Sequence, residues 1–321
     1  MARAVSTATA VTAVALAFVL VGCSGDDDTA PTTVPTTVVP TTAAPTTVPE
    51  VVQPAPARLD APLDATAFAT GLSEAELIIR DPASTAVQVS AAGARLQLLI
   101  RSLSDHSDLD EQVIAALDPQ VRPTIERVIR ARQFLQAKNA EDPTPSTPSP
   151  TLPAWTVVEP DAPDALLALY HEAEAMTGVP WYYLAAIHLQ ETRMGRIIGT
   201  SSAGAVGPMQ FLPETWASCC TGDPLNTRDA IIGAATYLVH GGAPLDMAAA
   251  LHQYNPSDTY VAVVTAYAEN MRDVPALYGG YHGFQVFYSS AAGTVRLPVG
   301  YSQTQPIDAA VYLASHPDDA A

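Results

Sequence analysis

Lysine is almost absent from this chain. Lys138 is the only one in 321 residues, and 15 Lys+Arg stand against 33 Asp+Glu, so the formal charge is −18. A nucleic-acid partner would need a basic stripe to neutralise phosphates, and docking on anionic lipid would need a polybasic patch. The composition excludes both, apart from attachment through a lipid. Aromatic residues make up only 7% of the chain, and three cysteines, Cys23, Cys219 and Cys220, are too few for a disulfide framework. Several catalytic patterns are also missing. His171-Glu172 opens like a zinc-protease motif, but Ala175 stands where the second histidine belongs. Ser201 has no nucleophile elbow around it. Thr221-Gly222-Asp223-Pro224-Leu225-Asn226 lacks the alternating acids of a calcium loop. The expectation is therefore no metal and no cofactor.

Proline is plentiful and clustered, with 28 residues in the chain, which makes the chain modular. Residues 1–22 carry one early positive charge at Arg3, a short apolar run and small residues at its end, the pattern of a signal peptide. The run is too short and alanine-rich for a transmembrane helix. Its end, Leu20-Val21-Gly22-Cys23, resembles the bacterial lipoprotein processing box, which implies lipidation at Cys23 and a place on the outer face of the cell membrane or in the cell envelope. Residues 23–57 are a Thr/Pro-rich stretch with no apolar periodicity. Extended as polyproline II, the roughly 30 residues of 26–57 would form a stalk reaching roughly 90 Å.

Two helical parts follow. In 58–140, Ser73 to Glu76 reads as a capping box before Leu77. Pro82 suits the first turn of a second helix, and Leu96, Leu99, Ile100 and Leu103 keep helical spacing. Arg127, Arg130 and Arg132 read as a solvated helix face, and no catalytic pattern stands out. Residues 141–153 form a second Pro/Ser/Thr linker. From 154 to 303 the pattern predicts helices at roughly 162–177, 180–193, 213–219, 227–240, 245–253 and 257–270, then a small β-hairpin around 284–297. The 304–321 tail is expected to be loose. The fold class is mainly α, with a small C-terminal hairpin.

One carboxylate stands out. With Leu184 as reference, a 100° step per residue places Ile187, His188 and Trp181 on one apolar stripe, and Glu191 falls about 20° from its centre. A glutamate is rarely buried without a reason, and burial would keep it protonated, as a general acid requires. The alternative is a helix-end glutamate paired with Arg193 or Arg196. His188, three residues earlier, reads better as a core histidine. After this helix, the small residues Ser201 to Pro208 allow backbone to approach a ligand closely. Gln210 and Phe211 follow. Tyr254-Asn255-Pro256-Ser257-Asp258-Thr259-Tyr260-Val261 then combines aromatic platforms with an amide.

Three motifs in order resemble the soluble lytic transglycosylases, goose-lysozyme-like helical enzymes, with the membrane-bound B type as the nearest branch. The family's E-T/S-x-x-G-R run appears as Glu191 to Arg196. Its S-x-A-G-A-x-G-x-x-Q-F-x-P run appears as Ser201 to Pro213, and its Y-N-x-S-x-x-Y-V run as Tyr254 to Val261. The resemblance implies a lysozyme-like catalytic domain, peptidoglycan glycan strands as substrate, and cleavage of the MurNAc-β-1,4-GlcNAc bond with formation of 1,6-anhydro-MurNAc. Glu191 would be the acid and then the base. Ser201, Gln210, Phe211, Tyr254, Asn255 and Tyr260 would orient Glu191 or line the groove. Phe211 and Tyr260 are equally well explained as core. A monomer is expected. Two alternatives stay open: a hydrolysing muramidase with Asp223 or Asp229 as base, or a non-catalytic wall-binding lipoprotein. The sequence does not decide whether Cys219 and Cys220 are bonded.

Overall fold

The computed structural model describes residues 59, 63–141 and 147–321. The signal peptide, Cys23, the Thr/Pro stalk and residues 142–146 of the linker lie outside the described residues. Among the described residues, no helix is long and apolar enough to cross a membrane. Among the described residues the architecture is mainly α, with three small antiparallel strand pairs.

Helix α1, Ala65–Arg80, opens at Asp64, whose carboxylate accepts the Ala67 N–H at 2.8 Å. The expected start at Ser73 is therefore corrected. Ser73 and Glu76 are buried mid-helix and serve tertiary contacts: the Ser73 hydroxyl accepts the Asp118 N–H at 3.1 Å, and Glu76 accepts from Arg80 and Thr124. The capping box sits instead at Thr85 and Gln88, opening α2, Ala86–Ser104, so Pro82 stays in the preceding turn. Helices α3, Asp110–Ala116, and α4, Arg122–Glu141, complete the first part.

The solvated-arginine expectation holds for Arg130, which is exposed beside Glu111 and Glu126. It fails for Arg132, which is buried, pairs with Asp110 and donates to the Leu103 carbonyl at 2.9 Å. Arg127 crosses to the second helical part, where it meets Asp273 at 2.8 Å and also Asn270.

Short strands β1, Thr151–Leu152, and β2, Thr156–Val157, lead into α5, Pro163–Thr177, and α6, Trp181–Thr192. Gly178, at φ 78°, ends α5 in the left-handed conformation that glycine adopts without strain. After β3, Ile197–Ile198, which pairs with β2, come α7, Pro213–Cys219, α8, Thr227–His240, α9, Met247–Tyr254, and α10, Asp258–Asp273. Side chains of Asn226, Asp246 and Ser257 cap the last three by accepting N–H groups of their first turns. Cys219 and Cys220 are joined in a disulfide.

Helix α11, Leu277–His282, is absent from the sequence-based expectation because it contains Gly279 and Gly280, each worth about 1 kcal/mol against a helix. Close packing explains them. A Cβ at Gly93 on α2 would lie 1.9 Å from the Gly280 carbonyl oxygen, and one at Gly280 would lie 2.5 Å from Ile79. Gly93→Ala is therefore expected to force α2 and α11 apart and to lower stability by about 2–3 kcal/mol, measured as a shift in the urea midpoint.

The two helical parts share one core, running from Phe68 and Leu99 through Ile129, Tyr170 and Leu184 to Val264 and Phe284. A second, smaller core lies under the hairpin of β4, Val286–Ser290, and β5, Gly293–Leu297, where Val286, Tyr288, Val295 and Leu297 meet Trp155 and Leu152. The expectation of a loose tail is overturned here. Strand β6, Ile307–Asp308, pairs with β1, and helix α12, Ala309–Ser315, follows. Tyr312 is buried in this core and donates to Asp319 at 2.9 Å, while Arg296 holds the same carboxylate. The tail is ordered because it supplies apolar and ionic partners that the exposed face of a two-stranded hairpin lacks.

Candidate active site

Helix α6 is buried without interruption from Leu184 to Thr192. Glu191 lies within that stretch and is only 8% exposed. Its Oε1 accepts a hydrogen bond from the Tyr260 hydroxyl at 2.8 Å. Burial pushes the carboxyl up to about 7, while the Tyr260 hydrogen bond and the nearby charge of Arg193 hold it down. The pairing of Glu191 with Arg193 or Arg196, which the sequence left open, is not the arrangement found. Arg196 meets Glu159 at 3.3 Å and the His282 carbonyl at 3.1 Å. Arg193 donates to the Leu189 and Gln190 carbonyls at 2.6 and 3.3 Å, closing the C-terminus of α6.

The backbone behind Glu191 is strained. Arg193 and Met194 have φ of 56° and 58°, followed by Gly195 at 88°. Left-handed conformations cost non-glycine residues about 1–2 kcal/mol each. Buried Thr192 fixes this turn: its hydroxyl donates to the Pro208 carbonyl at 2.6 Å and accepts the Gly195 N–H at 3.1 Å. Thr192 thereby ties the end of α6 to the small-residue loop. The sequence reading passed over it, although its place directly after Glu191 in the first motif was a usable signal.

That loop is built on its own hydrogen bonds. The Ser201 hydroxyl accepts the Ala205 N–H at 3.0 Å, and Val206 and Phe211 bond each other in both directions. A Cβ at Gly207 would lie 2.0 Å from the Pro224 carbonyl oxygen, so the backbone passes there only as glycine. Gln210 has φ 50° and turns its amide nitrogen back to the Gly207 carbonyl at 2.9 Å. Ser201 and Gln210 thus shape the loop, and their remaining acceptor and donor capacity is what a ligand could use.

Phe211 is buried among Trp216, Tyr254 and Tyr237, with ring centroids at 5.1, 5.6 and 6.1 Å. Tyr254 stacks parallel on Tyr260 at 6.3 Å, and its hydroxyl donates to the Met209 carbonyl at 2.6 Å. Burial, reinforced by the charge of Glu191, raises both phenols well above their usual range, so they remain donors at neutral pH. Asn255 follows α9, and its Oδ1 is buried without a hydrogen-bond partner among the described residues. Such an acceptor calls for a donor.

The structure thus joins Glu191, Tyr260 and Tyr254 in one contact chain, sets Phe211 behind Tyr254, and links the loop carrying Ser201 and Gln210 through Thr192 and Tyr254. His188 faces the core as expected: its Nδ1 bonds the Tyr170 hydroxyl at 2.8 Å, and burial pushes it down to about 3, leaving it neutral. Asp229 accepts the Asp223 N–H at 3.0 Å, and Asp223 accepts that of Leu225 at 2.9 Å. Both carboxylates are engaged in their own loop.

One curated relative is similar over part of the chain. It is the membrane-bound lytic murein transglycosylase F of Thiobacillus denitrificans (strain ATCC 25259 / T1), 39% identical over 69 residues. The match covers 22% of this chain and 14% of that protein, so the chain spans only a small share of the relative's length. No family model and no solved structure matches the chain.

Proposed function

We propose that this chain is an extracytoplasmic peptidoglycan lytic transglycosylase with a lysozyme-like catalytic domain, held by a lipid at Cys23. The observation that carries this reading is the buried Glu191 carboxyl, raised to about 7 and hydrogen-bonded by the phenol of Tyr260. The partial likeness to a murein transglycosylase, the three sequence motifs and the signal-like N-terminus support it. A carboxyl poised near neutrality can donate a proton and then take one back. Glu191 gives its proton to the leaving glycosidic oxygen. The resulting carboxylate removes the proton from the C6 hydroxyl of the muramoyl residue, whose oxygen closes on C1 to give the 1,6-anhydro sugar. Since no water attacks, the second carboxylate of ordinary glycosidases is dispensable. The donor seated on Glu191 is a phenol, which stabilises the ionised form without competing for its proton. Phe211 supports the platform of Tyr254, and Asn255, Gln210 and Ser201 offer amides and a hydroxyl to the sugars.

Mass spectrometry of peptidoglycan digested by the processed chain tests this reading. Anhydro-muropeptides are expected, lighter by one water than hydrolysis products. Reducing-end products would make the enzyme a muramidase, and no release with retained binding would make it a wall-binding lipoprotein. Tyr260→Phe checks the acid more finely. Loss of a hydrogen bond to the ionised form raises the Glu191 carboxyl further, so the alkaline limb of kcat/KM, expected near pH 7 in the wild type, should move up by about one unit. An unmoved limb would separate Tyr260 from the catalytic carboxyl.

A further inference from the structure

The disulfide at the end of α7 joins two residues adjacent in the chain, Cys219 and Cys220. A disulfide stabilises a fold mainly by closing a loop, and more so as the loop lengthens. This one ties no distant segments together, so its share of global stability is small. What it constrains is local: the direction in which the chain leaves α7. Both cysteines are half-buried rather than sealed in the core, and accessible disulfides are the ones open to thiol exchange.

Residues 221–226 run from this bridge to α8 and lie against the loop that carries Gln210. At their far end, Asp229 of α8 accepts the Asp223 N–H at 3.0 Å, and Asn226 caps the helix. At their near end, the Trp216 indole donates to the Gly222 carbonyl at 3.3 Å. Between the two, the Pro224 carbonyl meets the Gly207 backbone at the close approach described above. The Gly207 carbonyl in turn receives the Gln210 N–H at 3.1 Å and the Gln210 side-chain amide at 2.9 Å. A second route runs through Trp216. A Cβ at Gly233 would lie 2.4 Å from its ring, and the ring packs on Phe211, which backs Tyr254. Glu191 is held separately, by Tyr260 of α10.

A partner for the reduced state is already in place. The Cys220 sulfur lies 3.6 Å from the Gly233 carbonyl oxygen. In the disulfide that sulfur has no proton to give, whereas a thiol is a weak donor. Reduction therefore exchanges a bond that fixes the exit of α7 for one that holds Cys220 alone.

We propose that Cys219–Cys220 is a redox-active site that sets the position of the Gln210 loop. The bridged form holds 221–226 against Gly207, and the dithiol form releases it. Its effect on glycan binding rests on the reading of Glu191 given above. The chemistry is thiol–disulfide exchange with a dithiol reductant. One thiolate of the reductant attacks a sulfur of the bridge, the S–S bond breaks, and the second thiol resolves the mixed disulfide. Two electrons and two protons pass to Cys219 and Cys220, and the reductant leaves as its own disulfide.

The processed chain is compared in its oxidised form and after treatment with dithiothreitol, which is then removed. Alkylation and mass spectrometry should find two additional thiols after reduction, at Cys219 and Cys220. KM for glycan strands should rise several-fold in the dithiol form, kcat should stay within about twofold, and reoxidation should restore both. The melting temperature should move by less than about 3 °C, because the bridge closes no long loop. The double variant Cys219→Ser with Cys220→Ser should show the raised KM and no response to dithiothreitol. Failure of the bridge to form under oxidation, an equal KM in the two forms, or the same response in the serine variant overturns the proposal. A fall in kcat at unchanged KM overturns the route through the Gln210 loop. If neither form cleaves glycan, the reading of Glu191 falls. The redox site then stands on a reversible change in tryptophan emission that the serine variant lacks, and falls without it.

Discussion

On the proposed reading, Glu191→Gln should lower release of anhydro-muropeptides by roughly 10²–10⁴-fold, the usual contribution of a positioned acid. The amide keeps an acceptor for the Tyr260 hydroxyl but has no proton to give. The same variant carries a stability signature whose sign is fixed by burial. The wild-type carboxyl titrates near 7 in the folded protein against a reference of 4.5. Between those values the native state holds a proton that the unfolded chain has lost, so wild-type stability falls as pH rises through that window. Glutamine carries no such penalty. The variant should match the wild type at pH 4 and exceed it at pH 8 by up to about 3 kcal/mol. Chemical denaturation at the two pH values reads this directly. Retained turnover would remove Glu191 from the reaction, and a pH-independent difference would mean that its carboxyl is not desolvated.

Asp110→Ala should be the most damaging substitution far from the site. It strands the Arg132 guanidinium, which is buried and already has its Nε without a partner among the described residues. Removing one member of a buried ion pair costs about 3–5 kcal/mol, because the remaining charge is left uncompensated. The double variant Asp110→Leu with Arg132→Met should recover most of that loss, since it replaces the pair by apolar volume. Urea unfolding of the single and double variants checks the coupling. If the double variant is as unstable as the single one, packing rather than charge dominates there.

The features that followed from the sequence are those set by local chemistry. Helices α5 to α10 have apolar periodicity bounded by Pro163, Gly178, Pro180, Pro213, Asn226 and Ser257, and each boundary residue acts within its own turn. The position of Glu191 follows from a single helical stripe. What the sequence did not yield depends on partners distant along the chain. Ser73 resembles a cap, but the Asp118 N–H and a continuous apolar contact with α2 keep it inside α1. Arg132 resembles a surface base until Asp110 folds under it. Gly279 and Gly280 resemble a break until α2 comes close. The tail looks polar, yet Tyr312 and Asp319 complete the core beneath the hairpin. At the site, the residue types in the motifs are legible, but their contacts are not. Nothing local indicates that Tyr254 reaches Met209, that Gln210 turns back on Gly207, or that Thr192 anchors the loop.

The packing of α2 and α4 against the far end of the chain has a consequence for biogenesis. Gln97 exchanges hydrogen bonds with Gln285 across 188 residues, and Asn270 bonds the Thr124 carbonyl across 146. Contacts that distant require long loops to close before they stabilise anything. A chain made N-terminus first presents α1 to α4 well before α10, α11 and the hairpin emerge. Until then, the apolar faces of Leu99 and Ile129 lack their partners. The early helices must therefore be kept from associating with other chains until the last third of the protein arrives, which makes this fold dependent on shielding during synthesis.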